Sequence, residues 1–168
     1  MWERSKSEVN KMTAPVFCEN MNIYVAAPFG SVGSEKRCTV EEVRKILQSK
    51  ILYGDKIFCP WDYKIPNAWD YPNTEWAQMV FANDVKAINS ADIVVAISYG
   101  RAETTSGTNW EIGYAFGIGK KVIVVEMTDN VMSLMISNGC YAVVRGLIGL
   151  RDYDFDKMPK LRTETEQK

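Results

Sequence analysis

The residues best suited to chemistry stand in the stretch Ser106-Gly-Thr-Asn-Trp-Glu111-Ile-Gly-Tyr-Ala115, which follows a buried-looking apolar run and reads as the opening of a helix. A helix N-terminus favours an ionised carboxylate, and a carboxylate can attack an anomeric carbon as its leaving group departs. Glu111, expected in the first turn, is therefore a candidate covalent nucleophile for cleaving a glycosidic bond. The same residues have a structural reading: Thr108-x-x-Glu111 has the spacing of a capping box, in which the glutamate reaches back to the cap N–H. Ser106, Gly107 and Thr108 line the approach to this helix, and Gly107 and Gly113 leave room for a sugar or for close helix–sheet packing. Asp84, in Ala82-Asn-Asp-Val85, is the second acid. It either faces a cleft, where it can hydrogen-bond or protonate a departing base, or is a solvated helical acid. Tyr24, inside the first apolar run, is either core packing or a phenol whose buried hydroxyl needs a partner that a carboxylate above the sheet would supply.

Two loops and the start of a helix could complete such a site. Pro28-Phe-Gly-Ser-Val-Gly-Ser34 places Phe29, Gly30 and Ser31 where backbone N–H groups can approach an anion at a helix N-terminus, or where the chain simply turns tightly. It is neither G-x-G-x-x-G nor a Walker A motif, so a dinucleotide site is disfavoured. From Trp61 to Asn73 runs an aromatic loop with Trp61, Asp62, Tyr63, Trp69 and Tyr71. Its flat rings can stack a base or form a cover or a subunit contact. Ser133 opens the helix predicted near 131–137.

What is missing narrows the chemistry further. The chain has no histidine, and Cys18, Cys38, Cys59 and Cys140 form no C-x-x-C pair. Zinc-finger, H-E-x-x-H and histidine-triad chemistries are thereby excluded, and no metal ion or cofactor is expected. Scattered thiols predict a reducing, cytoplasmic setting, and residues 1–20 contain no continuous apolar segment of the kind a secretory signal needs. No stretch approaches the ~20 apolar residues of a membrane span. With 20 basic and 21 acidic residues, a net charge of −1 steers the protein toward neither nucleic acid nor an anionic membrane. A small partner fits better.

The elements that must position these residues follow from the apolar pattern. Strands are predicted at 22–27, 56–59, 93–97, 121–125 and 141–144, and helices at 39–49, 74–89 (capped by Thr74), 107–118 and 131–137. The strands run apolar without alternation and are separated by helices, so both faces of a parallel sheet must be covered. Ligands bind such sheets at the carboxyl ends of the strands. Its 168 residues, 46% of them hydrophobic, suit one domain at 21–160, between an N-terminal extension at 1–20 and a charged tail at 161–168.

With these residues in place, the chain resembles the nucleoside 2-deoxyribosyltransferase family from Asn22 to about Lys160. The likeness rests on an ordered set: Ile23-Tyr24; Asn83-Asp84, then Ala91-Asp92-Ile-Val-Val-Ala96; Gly107-x-x-x-Glu111-Ile-Gly-Tyr-Ala115, then Gly119-Lys-Lys-Val-Ile123; Leu134-Met135; and Leu150-Arg-Asp-Tyr-Asp-Phe155. The resemblance implies a doubly wound, flavodoxin/Rossmann-like parallel sheet of about five strands with helices on both faces. It also implies double displacement, with Glu111 as nucleophile, Tyr24 positioning it and Asp84 assisting departure of the base. Substrates would be a nucleoside or nucleotide and a free nucleobase, and sites would be completed across a homo-oligomer interface. Two departures from the family pattern bear on substrate. Ser133 stands where transferases carry an asparagine for the sugar 5′-hydroxyl, and resembles the serine with which related nucleotide N-glycosidases contact a 5′-phosphate. Lys64 falls where a base-reading glutamine is common. Deoxyribosyl transfer between bases is the leading expectation, hydrolysis of a nucleoside 5′-monophosphate the runner-up, and a non-catalytic nucleotide sensor the reading from another class.

Overall fold

A computed structural model describes residues 21–28, 34–51 and 56–162. Among these residues five strands form one parallel sheet in the order β2-β1-β3-β4-β5. They are β1 (Asn22–Ala26), β2 (Lys56–Phe58), β3 (Ile93–Ser98), β4 (Lys121–Glu126) and β5 (Ala142–Arg145). Six helices connect or follow them: α1 (Ser34–Gln48), α2 (Asn73–Ser90), the short α3 (Gly100–Glu103), α4 (Ser106–Gly117), α5 (Leu134–Gly139) and α6 (Gly146–Asp152). This is the doubly wound fold expected from the sequence. The chain reverses its winding direction between β1 and β3, which is where such sheets open a crevice.

Strand periodicity decides which side chains reach that crevice. Ile23, Val25, Val95, Ile97 and Ile123 point to one face, where they pack with Val40, Val43 and Leu47 of α1 and Leu150 of α6. Tyr24, Ala26, Val94, Ala96, Val122 and Val124 point to the other, against Ile88 of α2 and Ile112 and Ala115 of α4. A slip of one residue in β1 would carry Tyr24 to the wrong face, but pairing to Phe58 and Val94 on its two sides fixes its register.

Several boundaries differ from the expected ones for local reasons. Helix α1 begins at Ser34 rather than Thr39, because its first turns are charged and carry no apolar period. Helix α2 follows Pro72 with no side-chain cap, so Thr74 lies inside the helix and is not its cap. Of its apolar residues Trp76, Val80, Val85 and Ile88, only Ile88 is buried, and Trp76 is exposed. Helix α5 starts at Leu134, with Ser133 as its N-cap. Helices α3 and α6 have no apolar period to reveal them; α6 opens at Gly146 with φ +58° and is held by buried Leu150. The chain after α6 is tied down at least to Arg162: the Leu161 carbonyl accepts the Val143 N–H, and Arg162 donates to the Ser137 carbonyl. The expected extension at 1–20, the loop residues Phe29, Gly30 and Ser31, and positions 163–168 of the tail lie outside the described residues. No helix among the described residues is long and apolar enough to cross a membrane.

Candidate active site

Helix α4 is the element that matters most. Thr105 caps it: its side-chain oxygen accepts the Thr108 N–H at 3.3 Å and lies 2.9 Å from the Thr108 hydroxyl. The helix therefore starts three residues earlier than a capping box at Thr108 requires. Glu111 falls in the second turn, not the first, and its carboxylate has no cap to serve. The capping reading is corrected by this geometry, and the signal for it was available: a threonine three residues before Thr108.

Glu111 turns instead toward the sheet. The Tyr24 hydroxyl donates to its Oε1 at 2.7 Å in a buried contact between β1 and α4. Oε2 is also buried and makes no hydrogen bond among the described residues. With only 9% of the residue exposed, burial pushes the Glu111 carboxyl up to about 7; the Tyr24 hydrogen bond acts against this, and the Asp84 charge adds to it. Burial, then the Glu111 charge, drives the Tyr24 phenol far above its ordinary value, so Tyr24 stays a donor at any working pH. Phe58, opposite Tyr24 on β2, stacks on its ring at 5.6 Å and 13° and fixes its plane. Sequence reasoning did not single out Phe58, although it is the registered neighbour of a candidate residue.

Asp84 approaches from α2. It is half-buried, and burial raises its carboxyl to about 6. Its charge is felt by both Glu111 and Tyr24, which makes these three side chains one electrostatic unit. Two carboxyls with raised pKa values beside a cleft are the environment expected for proton transfer and nucleophilic attack near neutral pH.

A cavity of about 650 Å³ opens beside Asp84, lined among others by Trp61, Tyr63, Lys64, Trp69 and Trp76. Trp61 and Lys64 therefore belong with Asp84. The loop carrying them is pinned to α1: the Arg37 guanidinium lies 5.1 Å from the centre of the Trp61 ring, and Arg44 pairs with Asp62 at 2.9 Å. Asp62 is thus engaged in an exposed ion pair rather than aimed into the cavity. Trp76, at an apolar position of α2, is a wall of this cavity.

The other candidates are distributed unevenly. Thr108 is buried beneath the start of α4, and Ser106 and Gly107 are exposed on its first turn. Ser133 is not with Asp84. It lines a separate groove of about 500 Å³ between α4 and α5, with Asn109, Ile112 and Gly113. No three His, Cys, Asp or Glu side chains among the described residues converge in a way that could hold a metal ion.

Comparison with known proteins bears on this arrangement. The family model described as nucleoside 2-deoxyribosyltransferase matches residues 23–161. Among solved structures, the chain is similar to the 2-deoxyribosyltransferase of Bacillus psychrosaccharolyticus, with 28% identity, a TM-score of 0.73, and 84% of this chain and 98% of that one covered. A 2-deoxyribosyltransferase from Leishmania mexicana matches at 18% identity and a TM-score of 0.47, covering 80% of this chain and 79% of that one. A CMP N-glycosidase from Clostridium botulinum matches at 17% identity and a TM-score of 0.47, covering 74% and 86%. A search of curated protein sequences gives no match.

Proposed function

This chain belongs to the nucleoside 2-deoxyribosyltransferase family, and on that basis we propose that it moves a 2-deoxyribosyl group from one nucleobase to another through a covalent sugar–Glu111 ester. The observation that carries the proposal is the buried Tyr24–Glu111 hydrogen bond at 2.7 Å, which occupies Oε1 while Oε2 has no partner among the described residues. Oε2 attacks C1′ as the C1′–N bond breaks, and the bond electrons leave with the base. Asp84 gives its proton to the departing base, which its raised pKa of about 6 equips it to do. In the second half, a new base attacks C1′, the C1′–O bond to Glu111 breaks, and Asp84 takes up the proton that the incoming base loses. The aromatic walls at Trp61, Trp69 and Trp76 suit a flat base beside Asp84.

A second reading, hydrolysis of a nucleoside 5′-monophosphate, is favoured by one observation. Ser133 opens α5 without using its side chain as a cap, so its hydroxyl is available to an anionic 5′ group. In either reading Ser133 is separated from the Asp84 cavity of its own chain, and we propose that it serves the corresponding site of a second copy of the chain. The flank around its groove supports this: Leu134 and Met135 are 74% and 82% exposed, and Phe116 is exposed in the same groove as Met135.

The deciding experiment incubates the protein with 2′-deoxynucleosides and with their 5′-monophosphates, each with and without a free acceptor base. Exchange of base on the nucleoside, dependent on acceptor, is the expected result. Base release from monophosphates without acceptor supports the hydrolase, and no cleavage of any N-glycosidic bond rejects both.

A further inference from the structure

Beyond the Tyr24, Asp84 and Glu111 unit, one more carboxylate is buried among the described residues. Glu126 is 2% exposed at the end of β4, and it lies in register with Ser98 at the end of β3 and Arg145 at the end of β5. A carboxylate in that position has a large desolvation cost unless hydrogen bonds satisfy it. The Ser98 hydroxyl donates to its Oε2 at 2.9 Å and the Thr128 hydroxyl to its Oε1 at 3.4 Å. Burial raises its pKa, while the peptide N–H groups of Thr128 and Gly100 and the Arg145 charge act against that rise.

Ser98 and Arg145 stand on strand ends, and the other donors come from two different loops. Residues 99–105 lead from β3 into α4, and residues 127–133 lead from β4 into α5. The first loop closes on itself around Thr104, whose hydroxyl accepts the Tyr99 N–H at 2.9 Å and donates to the Gly100 carbonyl at 2.7 Å. The Ser98 hydroxyl also accepts the Gly100 N–H at 3.3 Å. The second loop is held by Arg145, which donates to the Thr128 carbonyl at 3.3 Å. The two loops then meet directly: the Arg101 N–H donates to the Val131 carbonyl at 3.0 Å. Gly100, at φ +77°, lies so close to Asn130 that a Cβ there would come within 2.6 Å of the Asn130 Cβ. One loop ends at Thr105, the cap of the helix that carries Glu111; the other ends at Ser133.

We infer that Glu126 is a positioning residue that clamps these two loops together, and so fixes both where α4 presents Glu111 and where α5 presents Ser133. The inference rests on the proposed reaction for its consequence, since an Oε2 displaced by even an ångström no longer meets C1′ in line. Glu126 itself touches no reacting atom. Its action passes through six residues from the Thr105 cap, less than two helical turns.

Two readouts on the full chain test it, comparing wild type with Glu126→Ala, Glu126→Gln and Ser98→Ala. Hydrogen exchange reads the clamp whatever the reaction is. Glu126→Ala is expected to speed exchange about tenfold in the first turns of both α4 and α5, and Ser98→Ala to do so less. Pre-steady-state release of base reads the consequence, because the burst amplitude counts competent sites while the rate constant reports their geometry. Glu126→Ala is expected to lower that rate constant at least tenfold per competent site. Glu126→Gln, which keeps the length and one acceptor oxygen, should fall between it and wild type. A purely structural Glu126 would reduce the melting temperature and the amplitude but leave the rate constant alone, and that result overturns the inference. So does unchanged exchange in both helices. Should Glu126→Ala not fold, Ser98→Ala and Glu126→Gln decide the question by the same two readouts. A wild type that cleaves no N-glycosidic bond sinks the proposed reaction, while the exchange measurement still decides the clamp.

Discussion

Glu111 is held in a state that folding alone would not choose. Its pKa rises from 4.5 to about 7 on folding, chiefly through burial, so the folded chain holds a proton there that the unfolded chain has already lost. A carboxylate shifted in this sense contributes its stability below pH 4.5 and loses it as pH rises through about 7. At about 1.4 kcal/mol for each tenfold change in proton affinity, the ionised form costs the fold on the order of 3 kcal/mol. Glu111→Gln removes that charge while keeping an acceptor for Tyr24. The expected outcome in denaturant melts is a variant more stable than wild type at pH 8, little different at pH 4, and at least a thousandfold slower in turnover. Turnover has its own pH dependence. The attacking carboxylate must be ionised, so the rate rises with pH toward about 7. Asp84 as acid must be protonated, so the rate falls as pH passes about 6. A narrow bell around those values is predicted for kcat/KM. Because the Tyr24 hydrogen bond holds the Glu111 pKa down, Tyr24→Phe should move the rising limb to higher pH. A limb that stays in place would remove Tyr24 from the site's electrostatics.

Among the helices and loops, the aromatic loop and α2 stand apart from the rest. Trp69 is fully exposed and borders the cavity beside Asp84, so it has no folding role for a mutation to disturb. Trp69→Ala is therefore expected to change stability by less than about 0.5 kcal/mol. If the ring stacks a base, the same change should raise the substrate KM roughly tenfold, the loss typical of one base–aromatic stack of ~1–3 kcal/mol. A KM that does not move would make the loop a cover or a subunit contact. This loop also shows where sequence reading reached its limit. The five strands were legible because burial on both faces leaves continuous apolar runs. The grouping of Tyr24, Asp84 and Glu111 was legible only through the family resemblance, because pattern alone left each of them a structural reading: core packing inside a strand, a solvated helical acid and a capping box. The start of α1, the glycine-bearing α6 and the exposed face of α2 were not, since their positions depend on charge, on a left-handed turn and on tertiary burial rather than on period. Trp76 has the spacing of a core residue and yet faces the cavity; only the packing distinguishes the two. Glu126 ends an apolar strand with nothing local to mark it, and its hydrogen bonds come from residues 98 and 128, brought together by the fold.

Taken across the molecule, Ser133 and Glu111 open in different places: one in the groove between α4 and α5, the other beneath the crevice beside Asp84. The exposed apolar side chains at Leu134 and Met135 make an association of copies the simplest way to bring them together. Replacing Met135 with Glu should convert the proposed oligomer to monomers in sedimentation, lower turnover with it, and leave the melting behaviour of the single chain nearly unchanged. A fully active monomer would rule out the shared site. Everything proposed for the reaction turns on one bond, between C1′ and the Glu111 carboxylate. A 2-fluoro-2-deoxynucleoside slows both steps by destabilising the oxocarbenium-like transition state, and a good leaving group lets the first step still occur, so the sugar accumulates on the protein. Intact mass and peptide mapping after that incubation should show one sugar per chain, on the peptide carrying Glu111, and release of that sugar on adding a free base. No adduct, or an adduct on Asp84, would refute the covalent role of Glu111.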